Sequence, residues 1–191
     1  MSTPTGSRRR ADAVRNRRLA LEAATALLSE PGAALTVEAI AKKVGLGAAT
    51  VVRAFGGKDA LLDAAVSGLL EPVVRRARDL LAETTPTRAL HVFLRELLAF
   101  QTAHHGINDQ LGGLDLPATT ALRADLVRAV EEMIDGARRE GTVRTDLDPG
   151  VTTTLIGQTA LAVARARPPS QELADAYLTV LLDGLRPPAA P

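Results

Sequence analysis

KKVGLGAATVVRAF, the stretch from Lys42 to Phe55, decides how the rest of the chain is read. Gly45 and Gly47 flank a single leucine, and a short apolar run follows, interrupted by Arg53. Such a stretch opens either a phosphate-cradling loop of a nucleotide enzyme or the turn between two short helices that grip DNA. The first reading needs a strand before its glycines. The preceding residues are TVEAIAKKV, in which Val37, Ile40, Ala41 and Val44 recur at helical spacing. Thr50 stands where a third glycine or alanine is required, and Gly57-Lys58 lacks both the earlier glycine of a P-loop and the following Ser or Thr.

The helix-turn-helix reading fits at many positions. Ile40 and Val44 face inward from a first short helix, Val37–Val44, capped by Thr36. Ala41 is small where a second helix must cross closely. Gly45 supplies the left-handed turn that glycine adopts at little cost. Leu46, Val51 and Ala54 return apolar contacts from the turn and from a second short helix, Ala48–Phe55. Both cross a third helix, Ala11–Leu28, whose apolar side carries Val14, Leu21, Ala24, Leu27 and Leu28. Ala48, Ala49, Thr50, Val52 and Arg53 are left to face outward into a major groove.

The remainder is compatible with such a protein. With 46% apolar and 24% charged residues in 191, the chain has the balance of a globular protein of one or two domains. It has no cysteine, which excludes disulfides and thiolate chemistry. No apolar run approaches the roughly 18 residues of a membrane span, and no apolar segment follows Arg8-Arg9-Arg10 as a secretory leader would require. The expected location is cytoplasmic. The net charge of +1 hides an asymmetry: up to Leu62 there are 10 Lys+Arg against 5 Asp+Glu, and from Asp63 onward 13 against 17. A basic end on a mildly acidic body suits a polyanion at that end.

Apolar positions recur at three and four throughout, and no run of alternating β-branched residues appears. The expected fold is all-α with about nine helices. Residues 1–10 read as a disordered basic arm, 11–60 as the helix-turn-helix domain, 61–186 as a larger helical domain, and 187–191 as a tail. The long helix from Lys58 to about Leu81 contains Pro72, which predicts a kink or break near Ser67–Leu70. Helices follow over Thr87–Thr102, Thr119–Arg139, Asp148–Ala166 and Ser170–Leu185, with an irregular stretch between His104 and Pro117.

RRLALEAATALLSEPGAALTVEAIAKKVGLGAATVVRAFGGKDALLDAAV, Arg17–Val66, resembles the DNA-binding domain of the TetR family of transcriptional regulators in order and spacing. ALHVFLRELLAFQTAHHGINDQLGG and the ending AYLTVLLDGLRPP are similar to ligand-binding domains of one branch of that family. The resemblance implies a homodimer that binds a double-stranded DNA operator and responds to a small-molecule effector, most often as a repressor. It also implies serine at the position of Gly47, tyrosine at Val52 and an aromatic or histidine at Ala54, so the recognition helix here is unusually apolar.

The expected DNA-binding residues are Thr36, Lys43, Gly47, Ala48, Ala49, Thr50, Arg53 and Lys58. Arg53 is the candidate base reader, because its fork can bond guanine O6 and N7 together. Thr36 and Lys58 sit at helix N-termini, where free N–H groups and positive charge suit a phosphate. An apolar effector cavity is expected from Phe93, Leu97, Phe100, Leu126, Val130 and Met133, with His104, Asn108 and Gln158 as polar anchors. The last two helices present Val151, Leu155, Ala162, Tyr177, Leu181 and Gly184 as a dimer interface. No catalytic constellation, metal site or cofactor motif is found; His104 and His105 are adjacent and would point to different faces of a helix. The alternative is an all-helical small-molecule binding protein or enzyme that retains the helix-turn-helix as scaffold.

Overall fold

A computed structural model describes residues 5–30, 33, 35–104, 114, 116–166 and 170–188. Among them are eight α-helices and no strand: α1 (Thr5–Ser29), α2 (Val37–Val44), α3 (Ala48–Phe55), α4 (Lys58–Glu83), α5 (Pro86–Ala103), α6 (Pro117–Arg139), α7 (Pro149–Ala164) and α8 (Gln171–Gly184). The expected count of about nine is thus eight among the described residues; much of the irregular stretch after His104 lies outside them. The helices divide into two compact units. One holds the described residues up to Leu70 with those of 114–121; the other holds Glu71–His104 and Leu122–Pro188.

In the first unit α1 packs against α2 and α3, which pack against each other. Ala20, Ala23, Ala24, Leu27 and Leu28 form the buried stripe of α1 at three- and four-residue spacing. Val14 is 66% exposed, and every residue from Arg10 to Arg15 is exposed, so the buried side of α1 does not reach back to Val14. The helix begins at Thr5, which places the Arg8–Arg10 triplet inside α1; residues 1–4 of the expected basic arm lie outside the described residues. Good helix formers, Arg and Ala, run without a breaker from Arg8 onward.

α4 continues as one helix through Pro72, so of the kink or break expected near Ser67–Leu70 the break does not occur. Pro72 cannot donate to the carbonyl of Gly68, but both residues are exposed, where that carbonyl can bond water. The first half of α4 clusters with the helix-turn-helix, through buried Leu61, Leu62, Ala65 and Val66, so this unit extends past residue 60 to Leu70.

The start of α6 belongs to the same unit and explains why that helix begins at Pro117 rather than Thr119. Pro117 sits at the first helical position, where the missing N–H has no intrahelical partner to lose. The residue before it, Leu116, has no oxygen with which to cap the next two N–H groups. Asp63 of α4 does so from 55 residues away: its carboxylate accepts from the Ala118 N–H at 2.9 Å and the Thr119 N–H at 2.8 Å. Asp63 is only 7% exposed. Burial alone would raise its pKa, but the bonds from Thr119 and Ala118 outweigh burial and hold the carboxyl below its ordinary 3.8. The Thr119 and Ser67 hydroxyls approach the same carboxylate without reaching hydrogen-bond geometry, so the two backbone donors carry the interaction.

The second unit is a helical bundle in which α5 packs against α7 and α8, and α7 against α8. Its core joins Ala77 and Leu80 of α4, Leu90, Phe93, Leu94 and Leu97 of α5, Val130, Met133 and Ile134 of α6, Ile156 and Ala160 of α7, and Leu178 of α8. Three helix starts are capped by their own preceding residue: Thr85, Asp148 and Ser170 accept from the N–H groups of Arg88, Val151 and Leu173. α5 and α6 approach so closely that a Cβ on Gly136 would lie 2.4 Å from Cβ of Pro86. Glu140 fastens the same junction by accepting from the Thr87 N–H at 3.0 Å.

Replacing Asp63 with Asn leaves one of the two α6 N–H groups facing an amide NH2 and is expected to cost about 1–3 kcal/mol at neutral pH. Because the folded-state pKa is lowered, this stabilisation is present above the unfolded pKa and disappears as pH falls through the folded one. The difference in melting temperature between wild type and Asp63→Asn should therefore be full near neutrality and shrink below pH 3.8.

Candidate functional site

The turn between α2 and α3 is built by backbone geometry. Thr36 caps α2, accepting from the Ala39 N–H at 3.1 Å. Gly45 ends it at φ +66°, a conformation that an L side chain would strain, and the Leu46 N–H closes on the Ala41 carbonyl at 3.0 Å. Chain direction then reverses within two residues. Ile40 and Ala41 of α2 and Val51 and Phe55 of α3 are buried; Val44, Leu46 and Ala54 are half-buried. Phe55, not Ala54, is thus the second anchor of α3, the position four residues after Val51 on the same face.

With Val51 and Phe55 inward, the opposite side of α3 is exposed. Ala49, Val52 and Arg53 are exposed, and Ala48 and Thr50 half-exposed. Arg53 has no hydrogen bond or ion pair among the described residues, so its guanidinium is free for a ligand. Gly47 begins α3 at φ −73°, ψ 142° with no side-chain cap, and its carbonyl accepts from Thr50 and Val51. Lys58 is exposed at the first position of α4, and Thr36 is half-exposed. Lys43 is exposed and paired with Glu30; such a surface pair is weak and leaves Lys43 able to exchange toward a phosphate.

The eight expected DNA-binding residues therefore all lie in one unit, on α2, α3 and the start of α4, and none is in the core. Sequence reasoning missed Arg17. Its guanidinium donates to the Ala54 carbonyl at 2.6 Å and lies 4.1 Å from the centroid of the Phe55 ring. An arginine a whole number of helical turns before the buried Ala20–Ala24 stripe was the available signal, but only the fold brings α3 beneath it.

In the second unit Phe93, Leu97 and Phe100 come together with Pro72, Val73, Arg76 and Glu96 around a cavity of about 180 Å³ between α4 and α5. Arg76 and Glu96 cross it as a bidentate pair, with Nε 2.9 Å from Oε2 and Nη2 3.0 Å from Oε1. Val130 and Met133 join Phe93 in the packed core instead of lining this cavity, and Leu126 is half-buried against that core. His104 caps α5, its ring 4.5 Å from Phe100 and Nδ1 2.9 Å from the Phe100 carbonyl. Gln158 is exposed on α7 and lines none of the described cavities of this unit; Asn108 lies outside the described residues. A second cavity, about 400 Å³, opens between α5, α7 and α8 and includes Arg95, Ala99, Thr102, Ala164 and Ala174. It was missed because small residues at helical spacing read equally as close packing.

On α7 and α8 the exposed residues form apolar faces. Val151 and Leu155 are 54% and 53% exposed, Leu173 and Val180 42% and 73%, and Ala162 and Gly184 are exposed beside them. Leu181 is half-buried against its own core, and Val180 beside it is the more exposed of the two. Tyr177 is half-buried, its hydroxyl donating to the Ile156 carbonyl at 3.2 Å and lying 2.9 Å from Thr159 Oγ1. Among the described residues no group of histidines and carboxylates could hold a metal ion, and no helix is long and apolar enough to cross a membrane.

A helix-turn-helix with a free outer helix, joined in one chain to a helical body with cavities of its own, defines a DNA-binding transcriptional regulator with a ligand-binding domain. Residues 20–65 match the family described as bacterial regulatory proteins, tetR family, and residues 85–187 the C-terminal domain of SbtR-like transcriptional regulators. A TetR transcription regulatory protein from Mycobacterium vanbaalenii is 34% identical, with 93% of this chain and 98% of that one covered and a TM-score of 0.62. A TetR transcriptional regulator from Streptomyces coelicolor is 31% identical over 91% of this chain and 99% of that one, with a TM-score of 0.64. The ketosteroid transcriptional regulator KstR2 of Mycobacterium tuberculosis shares the fold at 23% identity, 89% and 94% coverage, and a TM-score of 0.66. No curated protein sequence matches the chain. The chain belongs to the TetR family of bacterial transcriptional regulators.

The uncapped start of α3 can be repaired. Gly47 has a φ that any residue adopts, and a Cβ there would meet only Thr50 Oγ1 at 3.8 Å. Gly47→Ser should supply the missing cap and raise stability by about 0.3 kcal/mol in denaturant unfolding, with no change in secondary structure.

Proposed function

We propose that the protein is a repressor that binds a palindromic operator as a homodimer and is released by a small, mainly apolar effector. The observation that carries this reading is the state of α3: pinned by Val51 and Phe55 on one side, it leaves Arg53 on the other, exposed and without a partner among the described residues. Arg53 reads a base, Thr50 contacts a thymine methyl or a phosphate, and Thr36, Lys43, Gly47, Ala48, Ala49 and Lys58 follow the backbone around it. Two copies of α3 must enter successive major grooves about 34–36 Å apart, so the operator mirrors the two-fold axis of the dimer.

The apolar faces of α7 and α8 supply that axis, with Val151, Leu155, Ala162, Leu173, Val180 and Gly184 meeting their symmetry mates in a four-helix interface. The effector occupies the helical body, where Pro72, Val73, Phe93, Leu97 and Phe100 offer a largely hydrocarbon lining. An effector that weakens DNA binding is itself bound less well by the DNA-bound form, by linkage.

Selection of duplexes from a random pool by the purified protein tests the reading directly. Arg53→Ala should lose about 1–3 kcal/mol of preference for the selected operator over random duplex. Lys58→Ala should weaken both about equally and lower the salt slope by about one. A wild type without salt-sensitive duplex binding would favour the helix-turn-helix as mere scaffold. For the dimer, Val151→Glu with Val180→Glu places like charges across the two-fold axis, at a cost of several kcal/mol. The double variant should sediment as a folded monomer at micromolar concentration, because both side chains lie outside the core.

A further inference from the structure

The geometry points to Arg17 as a positioning residue for the recognition helix, one that sets operator discrimination without touching DNA. This rests on the reading of α3 as the helix that enters the groove. α3 has eight residues, too few to be stable alone, so its placement comes from tertiary restraints. Its N-terminus has no side-chain cap. Val51 and Phe55 are its buried anchors. At its C-terminus the last carbonyls have no intrahelical partner. Gly56 satisfies that of Val52 at 2.8 Å, and Arg17 of α1 satisfies that of Ala54 at 2.6 Å.

Arg17 makes two contacts that together suit a planar, cationic group. Its Nη1 donates to the Ala54 carbonyl at the negative end of the α3 dipole, and its guanidinium carbon lies 4.1 Å from the centroid of the Phe55 ring. The carbonyl and the ring belong to the two residues that directly follow Arg53. The clamp therefore holds α3 to α1 next to the side chain that must reach a base. Bidentate recognition tolerates little displacement, whereas phosphate attraction tolerates much. Loss of the clamp should accordingly reduce sequence preference while leaving non-specific binding in place.

The test uses the full chain as wild type, Arg17→Met and Arg17→Lys, with a duplex selected from a random pool by the wild type and a random-sequence duplex as probes, across a salt series. Arg17→Met keeps an apolar cover on Phe55 and removes the donor; it should bind the selected duplex about tenfold more weakly. Its affinity for random duplex and both salt slopes should match wild type, and Arg17→Lys, with charge and donor but no planar fork, should recover part of the loss. Equal weakening on both duplexes with a salt slope lowered by about one would make Arg17 a phosphate contact and overturn the proposal. Unchanged preference would overturn it as well. If Arg17→Met does not fold, amide exchange in Arg17→Lys decides. Faster exchange confined to the end of α3 supports the clamp, and protection identical to wild type overturns it. A wild type that selects no duplex would instead remove the reading of α3 on which the clamp rests.

Discussion

Two helices of eight residues each cannot persist in water by their own hydrogen bonds. They exist here because Ile40, Ala41, Val51 and Phe55 leave solvent together against the alanine-rich stripe of α1. The constraint is steric as much as hydrophobic. Alanines at positions 20, 23, 24 and 41 bring the helix axes close, and Gly45 at φ +66° reverses the chain in the two residues available. A side chain in place of Gly45 would strain that reversal.

The same economy of anchors shapes the boundary of that unit. The carboxylate of Asp63 closes a helix end that begins far along the chain, so the start of α6 is held to α4 by charge-assisted hydrogen bonds to backbone N–H groups. At α2, α5, α7 and α8 the helix starts are capped locally by Thr36, Thr85, Asp148 and Ser170, because an oxygen-bearing residue precedes the first turn. At α6 the preceding residue is Leu116, buried in the unit, and the cap must come from another element. Pro117 makes this workable by leaving only two nearby donors to satisfy.

What these restraints leave unpartnered is where the chemistry lies. Once Val51 and Phe55 are buried, the free side of α3 carries a single cation, Arg53, among alanines and Val52. In the helical body the reverse holds. α7 and α8 bury Ile156, Ala160 and Leu178 in their own core and still expose Val151, Leu155, Leu173 and Val180. These exposed apolar side chains are the ones the proposed dimer would cover.

Much of this was legible in the residues themselves. Gly45 between two helical apolar patterns, Thr36 and Ser170 as caps, and Pro149 after Asp148 are local signals, each set by the conformational preference of one residue, and the helices appear where those preferences placed them. The family resemblance was legible for the same reason, since the helix-turn-helix is a contiguous pattern. Long-range choices were not. Whether Leu181 or Val180 faces outward differs by one position, about 100° around a helix, and is settled only by which side packs on α5 and α7. Phe55 rather than Ala54 anchors α3 by the same kind of margin. Pro72 reads locally as a break, yet α4 runs through it because the orphaned carbonyl is on the exposed side. Arg17 and Asp63 look like ordinary surface charges of a helix. Their partners, Ala54, Phe55, Ala118 and Thr119, are 37 to 56 residues away, and pairing at that separation is decided by the packing of helices against one another, which no local preference encodes.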